Sequence, residues 1–226
     1  IMVMNYGEIS REATACPEDL QLQSIVKEYK TQPHTPELVT RFWQTFLGAS
    51  IEAQRLDITV PTVSCDRTQK ELEVLKKEDK MWVPETKLTY AQLGMIFPKM
   101  ESYAVAENSL IKDEFEQDAK GVDVEMSIDS PNRNTTQKGL EDFFKSQGRN
   151  GMRLSTFVLS SQASKSLTGH YLDENTWSRL LGSRGKGSVV SALFYPDGKL
   201  NVNLIMPPRN RHPSYIGGRS EGVKKT

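Results

Sequence analysis

Three acids recur at even spacing in the stretch GVDVEMSID: Asp123, Glu125 and Asp129. On an extended strand, where side chains alternate between faces, all three share one face. Hard carboxylate oxygens so grouped are the ligands a divalent cation takes for phosphodiester chemistry. The same alternation has a plainer origin in a half-buried strand, with Val122, Val124, Met126 and Ile128 turned inward and the acids turned to water. No residue close in sequence supplies a general base, and His170 and Lys186 lie far along the chain. The expectation is therefore no metal and no cofactor, with a metal-dependent nuclease or toxin-like effector as the alternative reading.

Other residue types with chemical potential are isolated. GSRGKGS, at 182–188, differs from a phosphate-cradling loop because Lys186 precedes Gly187 and a strand follows, whereas that loop opens a helix. It reads as a mobile basic connector whose Arg184 and Lys186 can meet phosphates. His34, His170 and His212 stand apart from one another and from any serine in a nucleophile-elbow context. Cys16 and Cys65 form no CxxC pair, which excludes the usual zinc and redox motifs and fits reduced thiols in an intracellular compartment, cytoplasmic or virion. No window approaches the roughly 18 unbroken apolar residues of a membrane helix, so no membrane partner is expected.

Charge supplies the strongest global signal. The chain's 29 basic and 29 acidic residues cancel, yet residues 1–132 carry 14 Lys and Arg against 23 Asp and Glu, whereas residues 133–226 carry 15 against 6. One outcome is neutralisation between the halves within a single fold. The others are an anionic polymer on the basic half, or copies docking head to tail as a homo-oligomer. The C-terminal PPRNRHPSYIGGRSEGVKKT places Arg209, Arg211, Arg219, Lys224 and Lys225 against the single acid Glu221, with Tyr215 available to stack on a base. Such a segment suits the backbone of RNA or DNA. Together these features point to a non-enzymatic, self-associating structural protein that binds or packages nucleic acid, of the kind found among viral or phage nucleoproteins and coat proteins. A protein-binding accessory subunit is a third reading.

The elements that must position these residues begin with a weak helix in PEDLQLQSIVKEYK. The strongest helix follows, with Thr35 as N-cap, Pro36 in the first turn and Val39, Phe42, Trp43, Phe46 and Leu47 on one face. Capping boxes at Thr68/Glu71 and Thr89/Gln92 open two more helices, the first anchored by Leu72 and Leu75 and the second broken near Pro98. A strand at 121–129 leads to a short helix with Leu140, Phe143 and Phe144 inward, stopped by Gly148. GMRLSTFVLSS reads as a second strand. LDENTWSRLLG reads as a helix capped by Asp173 and ended by Gly182. Finally, the turn YPDGK pairs Phe194 with Leu200, Ala192 with Val202 and Val190 with Leu204.

The order predicts an α+β fold: a mostly helical N-terminal half, then a small, largely antiparallel sheet with helices on one face and a C-terminal β-hairpin. The regions are 1–118, helical and acidic; 119–206, α+β and basic; and 207–226, a basic Pro/Gly-containing tail. Residues 1–206 are also compatible with one domain.

Overall fold

A computed structural model of the chain describes residues 17–115, 119–205 and 214–223. Along these run α1 Pro17–Thr31, α2 Pro36–Ala53, α3 Gln69–Lys77, β1 Lys80–Pro84, α4 Tyr90–Ile96, β2 Ile111–Asp113, β3 Gly121–Glu125, α5 Gln137–Ser146, β4 Asn150–Gly151, α6 Leu154–Thr168, β5 Trp177–Gly185, β6 Ser188–Phe194, β7 Leu200–Ile205, β8 Ile216–Gly218 and β9 Ser220–Gly222. The fold is α+β, with helices N-terminal and a hairpin near the C-terminus. It contains two sheets rather than one, and the N-terminal half contributes a strand to each.

The first sheet has the order β1-β3-β9-β4, and the second β2-β5-β6-β7 with β8 also on β5. All pairs are antiparallel except β5 with β8. One apolar core runs from Ile25 of α1 through the α2 stripe and β1 to Phe194 and Val202 of the hairpin. Local signals set the helices as their residues predict. Thr35 caps α2 by accepting from the Leu38 amide, and both capping boxes form at Thr68 and Thr89. Between α2 and α3 the extended segment is held to α2 by side chains: the Val63 amide donates to Gln44 Oε1 and the Cys65 amide to Thr40 Oγ1, each at 3.0 Å.

The hairpin register matches the pairing read from YPDGK, Phe194 opposite Leu200, Ala192 opposite Val202 and Val190 opposite Leu204. Gly198 sits at φ 98° in its turn, a conformation open to glycine at little cost. The outer edge of β7 is partly closed, because the Tyr103 hydroxyl donates to the Val202 carbonyl at 3.1 Å.

Five expectations are corrected. GMRLSTFVLSS is not a strand: after the two residues of β4 it becomes α6. Leu154, Phe157 and Val158 are buried, and so are Ser160, Ser161 and Ser164. A helix buried all round carries no polar face to mark the 3.6 period, and Met152, Leu154, Thr156 and Val158 then mimic alternation. LDENTWSRLLG is not a helix but the entry to β5. Asp173 adopts φ 60°, a region that Asn and Asp tolerate better than most residues, and Gly182 lies within the strand. A β-carbon there would stand 2.4 Å from the Gly151 carbonyl oxygen. The reason is a bulge between Leu180 and Arg184, where β5 leaves β6: the Gly182 amide donates to the Met152 carbonyl and its own carbonyl accepts from the Glu114 amide. This bulge joins the two sheets.

The connector GSRGKGS forms the tight β5–β6 turn. Gly185 pairs with Ser188, and Lys186 and Gly187 have φ of 50° and 79°, the signature of a two-residue turn matched to strand twist. Phe143 is 46% exposed, so α5 buries only Leu140 and Phe144.

The C-terminal segment departs furthest from expectation, because its described part forms β8 and β9. The latter is an interior strand, between β3 and β4. Composition alone reads as a tail because three of its residues are glycines, but Gly217, Gly218 and Gly222 are sites of close approach. A β-carbon on Gly217 would meet the Pro131 carbonyl oxygen at 2.0 Å, and one on Gly218 the Leu140 side chain at 2.6 Å.

Candidate functional site

The described part of the segment carries two buried ion pairs that knit the sheets together. Arg219 and Asp173 are both fully buried; Nε and Nη2 of the arginine donate to the two carboxylate oxygens at 3.0 and 2.7 Å. Its remaining hydrogens reach the carbonyls of Glu125 at 3.0 Å and Ser127 at 2.7 Å. Glu221, also buried, accepts from Arg153 Nε at 2.8 Å, and Arg153 Nη1 lies 2.7 Å from Glu85. The neighbouring carboxylates lift the Arg153 pKa against the opposing effect of burial, so this cation stays charged. A third cluster is closed as well: Asp113 accepts from the hydroxyls of Tyr90, Ser183 and Ser155 at 2.5, 2.5 and 2.7 Å. These clusters serve the fold, and within them Glu85 Oε2, 2.7 Å from the Arg153 guanidinium, is left without a hydrogen bond.

The expected acid triad is dispersed. Asp123 is buried and held by Arg149, with Arg67 Nη2 at 3.9 Å. Glu125 accepts from the Ser220 hydroxyl at 2.7 Å, and Asp129 is exposed, 4.0 Å from Arg133. Among the described residues no group of His, Cys, Asp and Glu is arranged to hold a metal ion. The face of β3 expected to meet water is instead covered by arginines. Cys65 is no nucleophile candidate: burial pushes its thiol up to about 11, leaving little thiolate near neutrality. His34 is buried and bonded to the Tyr29 carbonyl at 2.9 Å, and His170 pairs with Glu174 at 3.0 Å.

Of the basic and aromatic residues expected to contact nucleic acid, Arg219 is buried and its donors are taken. Arg184 is partly exposed and 3.6 Å from Glu114, Lys186 is exposed at the β5–β6 turn, and Tyr215 is 55% exposed. Tyr215 precedes β8 at the Trp177 end of β5, whereas Lys186 follows the other end, so the fold separates them. Arg209, Arg211, Lys224 and Lys225, like His212 and Cys16, lie outside the described residues.

One cleft has the chemistry those residues lack. A cavity of about 510 Å³ lies between α3 and the end of the first sheet, lined by Arg67, Lys70, Lys80 and Arg149, with Val74, Leu75 and Val223 as apolar wall. Its construction is local at each point. Arg67 immediately precedes the capping box that starts α3. The Trp82 indole donates to Asp66 Oδ1 at 3.1 Å, and the same oxygen accepts from Arg67 Nη1 at 3.0 Å. Gly148, at φ 64°, ends α5 and swings Arg149 over β3 and β9, where its Nε donates to the Ser220 hydroxyl at 2.7 Å and its Nη2 to the Asp123 carbonyl at 2.9 Å. Gly222 admits that guanidinium; a β-carbon there would stand 2.5 Å from Arg149 Nη1.

The acids at this cleft already have partners. Glu71 closes the capping box, Glu78 pairs with Lys80 at 2.7 Å, and Asp123 is held by Arg149. By contrast, Arg67, a residue of the cleft wall, has its Nη2 buried and without a hydrogen-bond acceptor, the nearest carboxylate oxygen being that of Asp123 at 3.9 Å. A buried charged donor without an acceptor is costly, and an anionic oxygen entering the cleft would satisfy it. Nothing local marked this site in the sequence beyond a basic residue ahead of a capping box, since Arg67 and Arg149 meet only through the sheet.

No protein-family model, curated protein or solved structure matches the chain. Among the described residues no helix is long and apolar enough to cross a membrane.

Proposed function

We propose that this is a non-enzymatic, self-associating protein that binds and packages nucleic acid, and that it seats the phosphate backbone in the cleft between α3 and the first sheet. The observation that carries the reading is the unsatisfied Nη2 of Arg67, set beside Arg149 and Lys70. Guanidinium groups match phosphate oxygens with two parallel donors, and Lys70, exposed on the first turn of α3, adds a positive charge near a helix N-terminus. Val223 borders the cleft as part of its apolar wall. Copies bound along one strand would lie side by side, which is where self-association belongs in this reading.

The test is fluorescence anisotropy with a labelled 20-nucleotide oligomer at rising salt, alongside light scattering. Affinity should fall steeply with salt, and Lys70→Ala should lower the slope by about one phosphate contact. Arg67→Met should weaken binding by about 10- to 150-fold, as the loss of a hydrogen bond to a charged group worth about 1.5–3 kcal/mol predicts. Absence of binding at low salt, or binding unchanged by both substitutions, overturns the reading. Scattering that shows monomers on a saturated oligomer of several site lengths overturns the self-association within it.

A further inference from the structure

Arg149 borders two cavities. Besides the cleft, it lines a neighbouring hollow of about 330 Å³ whose walls include Phe115, Leu181, Lys145 and Arg184 together with the acids Glu114 and Glu141. The hollow thus has aromatic and aliphatic surface with charges of both signs around it, and a guanidinium at the boundary. Phe115 is partly exposed, and one side of its ring is occupied by the Arg153 guanidinium, 5.4 Å from the centroid.

Resting on the proposed function, we infer that the ligand is single-stranded nucleic acid, with a phosphate in the cleft at Arg67 and an unpaired base lodged in the hollow against Phe115, beyond Arg149, whose own donors are held by Asp123 and Ser220. The physical reason is access. A base in a duplex is stacked and paired, and presents only its edge in a groove, whereas a single strand can turn a base out onto an aromatic side chain. A hollow with an aromatic wall beside a phosphate seat has no use for a duplex, whose phosphates would reach Lys70 without any base entering. Arg184 also lines the hollow, 3.6 Å from Glu114. Stacking of this kind tolerates any base, so sequence preference should be weak.

The experiment compares single-stranded RNA, single-stranded DNA and a duplex of one sequence and length on the full chain at fixed salt. Single strands should bind at least about tenfold tighter than duplex. Phe115→Ala should weaken the single strands by about 5- to 150-fold, as loss of one stacked base predicts, and leave duplex binding unchanged. Phe115→Trp should retain single-strand affinity; Phe115→Leu, which keeps apolar volume but lacks the ring, should lose it even if Phe115→Ala does not fold. Preference for RNA over DNA would identify the source of the strand. Equal binding of duplex and single strand, or full affinity in Phe115→Leu, overturns this inference and leaves the phosphate seat standing; no binding by any of the three overturns the proposed function itself.

Discussion

Arg219 separates two readings of the C-terminal segment by opposite outcomes. As a cation on a flexible tail, its replacement by Met would lower nucleic-acid affinity and leave stability within about 0.5 kcal/mol, as for most surface substitutions. As the fully buried partner of Asp173, its replacement strands a carboxylate. Removing one partner of a buried ion pair costs about 3–5 kcal/mol, and the Glu125 and Ser127 carbonyls, which accept from the same guanidinium, each lose a partner worth about 1–3 kcal/mol when buried. The carboxylate has one escape, protonation, which for an acid of ordinary strength costs about 4 kcal/mol at pH 7 and correspondingly less in acid. The expected loss at pH 7 is therefore about 5 kcal/mol, a third or more of the stability of an ordinary domain. Between pH 7 and pH 4.5 the penalty should shrink by about 3 kcal/mol, since protons that neutralise the stranded acid then cost less.

Urea unfolding at the two pH values measures both quantities, provided the wild-type dependence on denaturant is retained. Arg219→Met with Asp173→Asn, which removes the charge and keeps a residue tolerant of positive φ, should recover most of the charge-related loss. A penalty below about 1 kcal/mol at pH 7, or one that does not change with pH, would refute the reasoning and return Arg219 to the surface.

Two further perturbations test the fold elsewhere. Gly182→Ala drives a β-carbon against the Gly151 carbonyl at the junction of the sheets and should cost at least about 2 kcal/mol in urea, within the usual range for overpacking; a neutral effect would mean the bulge is misplaced. Burial holds the His34 pKa below its ordinary 6.5 against the opposing hydrogen bond that its ring donates to the Tyr29 carbonyl, so the unfolded chain takes up the proton first. Stability should be level above pH 6.5, fall as pH drops below it and level again below the folded pKa, and His34→Asn should flatten that limb of the profile.

What the sequence carried was whatever is decided within a turn or two. The α2 stripe and the capping boxes depend on residues fewer than ten apart, the β6–β7 register is set by the short turn between its strands, and all appear as their residues predict. The exchange of strand for helix around α6 and β5 has one cause: both are buried on all sides, so neither shows the polar face that distinguishes the two periods. Three glycines and the charged pair Arg219 and Glu221 in IGGRSEG resemble a solvated terminus because the partners that fix them, Asp173, Leu140 and Arg153, come from distant elements. The cleft was illegible for the same reason. Arg67 and Arg149 stand far apart in the chain, and what makes Arg67 exceptional is the acceptor it lacks, which no sequence pattern displays.

The charge polarity of the two halves finds its explanation in the same contacts. Arg149 holds Asp123, Arg153 holds Glu85, Arg184 approaches Glu114 and Lys199 meets Glu101 at 3.1 Å; each joins a cation from beyond residue 132 to an acid from before it. The surplus of one half is thus met by the surplus of the other inside one fold, and the motive for head-to-tail docking by net charge is weakened accordingly. A partner must then be recognised by what these pairings leave over. Among what is left over are the Nη2 of Arg67 and the Lys70 ammonium, and both belong to the acidic half, where the overall count pointed away from an anion. Net charge summed over a hundred residues predicts where a polymer drifts, whereas a phosphate binds at the few donors whose acceptors the fold has not supplied.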